Sequence, residues 1–185
     1  MTLTKTPVCD FGKQAESFKL KSINNQLISL SDIKGDQGTI IMFICNHCPY
    51  VKAIIKDLVK DCNELVIEGI NSVAIMSNDT NNYPEDSFEN MIKFSELNNF
   101  GKLDYLFDET QSVAKKFGAV CTPDFFGYNK DLELCYRGRF KELRDLKPVN
   151  TNDSDLKLAM RMIIQTQKGP NEQVPSMGCN IKWFN

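Results

Sequence analysis

No segment of this 185-residue sequence approaches the roughly 18 apolar residues that a membrane span needs. The first residues, Met1-Thr-Leu-Thr-Lys-Thr-Pro-Val-Cys9-Asp, carry neither an apolar leader core nor a small-residue cleavage site. Neither sign of charge dominates: 22 basic and 24 acidic residues leave a net charge of −2, so no general basic field draws the chain to nucleic acid or to an anionic membrane. Repeats and low-complexity tracts are absent, and histidine and tryptophan occur once each. The expectation is a cytoplasmic protein with neither nucleic acid nor membrane as partner.

What is present in quantity is cysteine. Seven residues, an odd number mostly scattered singly, fit a reducing compartment where a disulfide is transient and catalytic rather than structural. With 42% hydrophobic residues, a chain of this length buries a core without staples, so residues 1–185 are expected to form one domain, with 168–185 as a tail packed on it.

Two of the cysteines stand two residues apart in Ile41-Met-Phe-Ile-Cys45-Asn-His-Cys48-Pro-Tyr-Val51. The apolar run before them reads as a strand over 39–45. Val51, Ile54, Ile55, Leu58, Cys62, Leu65 and Val66 recur at helical spacing over 48–67, and Pro49 suits a first helical turn. A strand that delivers a thiol to a helix start sets it beside unpaired N–H groups and the positive end of the dipole, which stabilise a thiolate. By that geometry Cys45 is the exposed, low-pKa nucleophile and Cys48 the buried resolving thiol.

Around this unit, 18–20 and 26–30 alternate like a hairpin about Asn24-Asn25, and Ser31-Asp32 can cap a short turn ended by Gly35. Ile70–Met76 completes a βαβ unit with parallel pairing. Pro84 can open a helix bearing Phe88, Met91, Ile92 and Leu97. Asp108 and Gln111 form a candidate capping box for a helix closed by Gly118. Strands near 124–129 and 132–137 read as a hairpin, and Asp153 or Ser154 caps a last helix bearing Leu156, Leu158, Met160, Ile163 and Ile164. The tail reads as irregular as far as Ile181–Phe184.

This arrangement resembles the thioredoxin-like superfamily, and specifically the peroxiredoxin-like branch of the redoxin (AhpC/TSA) group that carries a Cys-x-x-Cys. The resemblance rests on Leu27-Ile-Ser-Leu-Ser-Asp-Ile-Lys-Gly35, Cys45-Asn-His-Cys-Pro-Tyr-Val51, Ser77-Asn-Asp79, Tyr83-Pro-Glu-Asp-Ser87, Cys121-Thr-Pro-Asp-Phe-Phe126, Tyr136-Arg-Gly-Arg139 and Gly178-Cys-Asn-Ile-Lys-Trp183. It implies an α/β thioredoxin-like fold, a central mixed sheet flanked by helices, with an N-terminal hairpin extension and an inserted helix. It also implies a cis Thr122–Pro123 bond beside the dithiol, with the Thr122 backbone pairing an extended substrate segment. His47, a cation between the thiols, resembles the Cys-x-His-Cys of strongly oxidising disulfide donors and would tune the site.

The implied activity is a thiol–disulfide oxidoreductase working through a reversible Cys45–Cys48 disulfide. Its partners would be protein or small-molecule disulfides and a thiol electron donor, and no metal or organic cofactor is required. Two alternatives stand beside it. In a thiol-dependent peroxidase, Cys48-Pro49 would take the peroxidatic position, but Cys45 then replaces an activating threonine and Thr122-Pro123 stands where an arginine is expected. A metal or iron–sulfur module would use Cys45, His47, Cys48 and Cys121, although a closed zinc site needs four ligands and only one Cys-x-x-Cys is present. Cys121 and Cys179 are candidate extra thiols, Cys121 reading rather as core filler. Cys62 and Cys135 read as small core hydrophobes, Arg137 and Arg139 as a solvated hairpin face, and Trp183 as an anchor for the tail.

Overall fold

The run Gly38–Phe43 has no exposed residue, and a strand without a polar face must be covered on both sides. The computed structural model describes residues 2–184. In chain order the elements are β1 (Leu3–Lys5), β2 (Lys19–Ser22), β3 (Leu27–Ser29), α1 (Leu30–Ile33), β4 (Gly38–Phe43), α2 (Pro49–Leu65), β5 (Ile70–Met76) and α3 (Phe88–Leu97). There follow β6 (Asp104–Phe107), α4 (Ser112–Phe117), β7 (Cys121–Thr122), β8 (Asp124–Asn129), β9 (Leu134–Tyr136), β10 (Leu143–Arg144), β11 (Lys147–Pro148), α5 (Asp155–Thr166) and β12 (Met177–Asn180). The main sheet runs β3-β2-β6-β5-β4-β8-β9. β4 pairs with β5, and β5 with β6, in parallel; β8 on β4, β9 on β8 and β2 on β6 are antiparallel. This is the mixed α/β sheet the resemblance implies.

Strand alternation sorts the core into two layers. Ile40 and Met42 of β4 join Ala74 and Met76 of β5 beneath α2, α3 and α5, whereas Ile41, Phe43, Val73 and Ile75 lie beneath α1 and α4. Phe117 of α4 closes the second layer, meeting Phe43 and Phe126 with ring centroids 5.7 Å apart, a spacing at which tilted aromatic pairs attract. Among the described residues no helix is long and apolar enough to cross a membrane.

Several details depart from the sequence expectation. The hairpin β2–β3 is part of the main sheet, through β2 on β6, rather than an appendage to it. α2 ends at Leu65 because the chain tightens into a 3-10 turn, Val66–Glu68, and reverses at Gly69 with φ +84°. Pro84 opens a separate 3-10 turn, Pro84–Asp86, and α3 starts afresh with Ser87 as its cap. Leu158 is 54% exposed and leaves the apolar face of α5.

The expected capping box is half formed. Asp108 does accept from Val113 and Ala114 N–H, at 3.3 and 2.8 Å, but Gln111 has φ +61° and turns away. Its amide instead donates to Ser77 and Lys182 carbonyls at 2.8 and 2.7 Å and accepts from Phe184 N–H at 2.8 Å. Gln111 therefore holds the tail, helped by Asn78, which accepts from Lys182 N–H at 2.9 Å. Trp183, the expected anchor, is 38% exposed with the Lys115 ammonium 5.6 Å from its ring centre. The regular part of the tail is the strand β12, which lies between β1 and β7, whereas 181–184 carry no regular structure, the reverse of the expected order.

Candidate redox site

Cys45 lies two residues beyond the end of β4, and Cys48 is the cap residue of α2, directly before Pro49. Both sulfurs meet one residue of β7. The Cys45 Sγ is 3.3 Å from Thr122 Oγ1, and the Cys48 Sγ is 3.1 Å from the Thr122 carbonyl oxygen. The Thr122–Pro123 bond is cis, as the resemblance implies.

A third sulfur completes the cluster. Antiparallel pairing of β12 with β7 sets Cys179 opposite Thr122, which brings its Sγ to 3.3 Å from the Cys48 Sγ. Gly178 allows this approach, since a Cβ there would run into the Thr122 carbonyl. Two sequence expectations change as a result. The Thr122 backbone, expected to await an extended substrate, already pairs with the chain's own β12. Cys45, expected to be exposed, is fully buried like Cys48.

The electrostatics also reverses the expected order of the two thiols. The Cys48 thiol is drawn down to about 5, chiefly because the Cys45 thiol donates to it; burial opposes the shift, and the backbone N–H groups of Val51 and Cys179 reinforce it. Donation to Cys48 and burial hold the Cys45 thiol well above the ordinary range. Position adds to this: the cap residue of α2 is Cys48, so the helix N-terminus serves it rather than a residue three places earlier. The contact with the Thr122 carbonyl is one only the thiol form makes, and it works against ionisation, but several donors act in the other direction. The Cys179 thiol is pushed up to about 12 by burial and by the neighbouring Cys48.

His47 faces a partner the sequence reading did not single out. Its Nδ1 lies 2.7 Å from Asp86 Oδ2, and its ring stacks on Tyr83 at 5.8 Å between centroids. The hydrogen bond to Asp86 raises the His47 pKa, burial works against it, and the charges of Asp86 and Cys48 add to the rise. Asp86 is fully buried and also accepts from the N–H groups of Asn46 and His47, at 2.8 and 3.3 Å, and from Asn78 Nδ2 at 2.8 Å. Asn46 is fixed in turn by Tyr105, whose hydroxyl donates to it at 2.9 Å. Lys182, also missed, is buried beside Tyr83, and its charge favours ionisation of Cys179. Tyr83-Pro-Glu-Asp-Ser87 and the Gly178–Trp183 segment were the available signals for both.

For a metal, ligand atoms of Cys45, His47 and Asp86 lie within 4.8 Å of one another, a set containing neither Cys48 nor Cys121. It offers three ligands where a structural zinc site takes four, and the Asp86 carboxylate is already engaged by four donors. Cys121 is buried, and its Sγ lies 3.5 Å from the Pro123 carbonyl. Of the two arginines expected on a solvated face, Arg137 is buried and Arg139 part-exposed. Arg137 is 8% exposed and donates to Asp124 at 3.0 Å and to the Gly118 carbonyl at 2.7 Å, with its guanidinium over the Phe126 ring; Arg139 pairs with Asp155 and Glu142. Beside the cluster, a cavity of about 450 Å³ is lined by Tyr50, Ile54, Pro123, Phe140, Ser176 and Met177 among others.

The model of the AhpC/TSA family matches residues 11–140. The chain belongs to the AhpC/TSA family. Its fold recurs over the full length in an uncharacterized conserved protein from Geobacillus kaustophilus, at 40% identity and a TM-score of 0.94, covering 100% of this chain and 97% of that one. A hypothetical protein from Sinorhizobium meliloti 1021 is 36% identical, with a TM-score of 0.90 and 98% of each chain covered. The thioredoxin domain of a thiol-disulfide oxidoreductase from Bacteroides vulgatus, at 16% identity and a TM-score of 0.59, covers 74% of this chain and 91% of that one and shares the fold alone. No curated protein matches the chain. The family match stops at residue 140, so β12 and Cys179 lie outside it.

Proposed function

We propose that this AhpC/TSA-family protein is a thiol–disulfide oxidoreductase with Cys48 as the attacking thiolate and Cys45 as the resolving thiol. Cys48 attacks a partner disulfide RS–SR′, forming Cys48–SR and releasing R′S⁻; Cys45 then attacks the Cys48 sulfur, closing Cys45–Cys48 and releasing RS⁻. The observation that carries the reading is that both sulfurs lie against Thr122 at the start of α2, within 3.3 Å of that residue's own atoms. Protein or small-molecule disulfides are the substrates, a thiol is the electron donor, and a cytoplasmic setting suits a dithiol that must be re-reduced.

Thiolate absorbance near 240 nm tests the assignment without a reagent having to enter the buried site. The reduced protein is expected to gain one thiolate with a midpoint near pH 5, absent from Cys48→Ala. A midpoint above pH 8, or its persistence in Cys48→Ala, would sink it. A second expectation concerns His47, whose imidazolium stabilises the Cys48 thiolate and hence the reduced state. His47→Ala should lower the reduction potential by tens of millivolts, at about 30 mV per 1.4 kcal/mol. Equilibration with glutathione reads the change, and an unchanged potential would remove His47 from the site's tuning.

Peroxide reduction is the second reading, favoured by Cys48 standing before Pro49 at the head of α2. A peroxide would need donors aimed at Cys48, and Arg137 and Arg139 are instead committed to Asp124 and Asp155. Hydrogen peroxide consumption at a rate exceeding disulfide exchange would favour this reading over the first.

A further inference from the structure

We infer that Cys179 is a third redox thiol of the site, and that Cys48 exchanges its disulfide between Cys45 and Cys179. The inference rests on the oxidoreductase reading above and adds to it a second, internal disulfide.

β12 is held on both edges, by β1 through Leu3, Thr4 and Lys5 and by β7 through Cys121 and Thr122. Its register is therefore specified, and that register puts Cys179 opposite Thr122, the residue both Cys45 and Cys48 touch. The Cys48 sulfur consequently has two sulfur neighbours: Cys45, whose thiol donates to it, and Cys179 at 3.3 Å. Gly178 is needed for the close approach, because any side chain there would collide with the Thr122 carbonyl and lift β12 away.

The chemistry balances without an outside reagent. Starting from Cys45–Cys48, the Cys179 sulfur attacks the Cys48 sulfur, the Cys48–Cys179 bond forms, the Cys45–Cys48 bond breaks, and the proton leaving Cys179 goes to the released Cys45 thiolate. No net oxidation occurs; the disulfide changes place. Once Cys48 is part of a disulfide, its negative charge is gone, and with it one of the influences that keeps Cys179 protonated in the reduced protein. The exchange would carry the oxidised bond to the C-terminal strand, whose Met177, with the preceding Ser176, lines the adjoining cavity.

Glutathione disulfide and the Cys45→Ser variant provide the test. Cys48 should take up one glutathione, and Cys179 should then expel it, leaving a Cys48–Cys179 link by non-reducing peptide mapping and no retained adduct. Adding Cys179→Ser to that variant should make the adduct persist. A lasting adduct on Cys48 of Cys45→Ser, with Cys179 still open to alkylation, would overturn the inference while leaving the Cys48 nucleophile intact. Should the buried serine unfold the protein, wild type decides. After partial oxidation and acid quenching it should yield Cys48–Cys179 alongside Cys45–Cys48, and the first link's absence would overturn the inference. Wild type that forms no Cys45–Cys48 bond and takes no glutathione on Cys48 would defeat the oxidoreductase reading itself.

Discussion

Replacing Cys48 with alanine is expected to reduce disulfide exchange by at least on the order of 100-fold, while Cys45→Ala keeps the first half of the reaction, its mixed disulfide persisting once Cys179 is also replaced. The asymmetry follows from ionisation. With its pKa near 5, Cys48 is almost wholly thiolate at pH 7. Cys45, held well above the ordinary thiol range, stays protonated there, and the thiolate is the attacking species. The lower basicity of Cys48 costs it some intrinsic nucleophilicity, but with a Brønsted slope of about 0.4–0.5 this offsets only part of the gain. Single-turnover reaction with a chromogenic disulfide separates the two variants, and trapping in cells extends the test. Cys45→Ala combined with Cys179→Ser should accumulate mixed disulfides through Cys48, whereas Cys48→Ala should accumulate none. If Cys48→Ala is the variant that traps partners, the roles assigned to the two thiols are the wrong way round.

The difference between what could be read in the sequence and what required the fold is a matter of distance along the chain. The βαβ core was legible because its signals are local: an apolar run over Gly38–Phe43, helical spacing from Val51 to Leu65, and a second apolar run at Ile70–Met76. The Cys45–Cys48 pair was legible for the same reason. Which of the two receives the helix N-terminus was not, because it turns on whether α2 begins at Pro49 or a turn earlier, and helix boundaries are the weakest part of any sequence reading. Gln111 shows how a local rule misleads. Its spacing from Asp108 fits a capping box, yet its amide is drawn to carbonyls of Ser77 and Lys182 that the sequence gives no reason to place nearby. Cys179 lies 131 residues from Cys48, and only the pairing of β12 with β7 unites them.

Asp86→Ala is expected to be the most destabilising single change at the site, by roughly 3–5 kcal/mol. The carboxylate is fully buried and accepts from four donors: the Asn46 and His47 backbone N–H groups, His47 Nδ1 and Asn78 Nδ2. Removing it leaves those largely buried donors unpaired, and each must recover a partner or bear the desolvation cost. The loop between the two thiols would keep only the Asn46 Nδ2 bond to the Glu85 carbonyl, 3.1 Å, as its hydrogen bond to the Pro84–Asp86 turn. The sign of the pH dependence follows from His47, whose pKa the hydrogen bond to Asp86 raises above 6.5 in the folded protein. A group with a raised folded pKa stabilises fully below its unfolded pKa and loses that contribution as pH climbs through the folded one. The gap between wild type and Asp86→Ala should therefore be widest below pH 6.5 and narrow toward alkaline pH, though not vanish, since the two backbone donors and Asn78 do not titrate. Urea unfolding at a series of pH values reads both quantities. A loss under about 1 kcal/mol, or a gap that widens as the pH rises, would show that Asp86 is not what holds His47 beside the thiols.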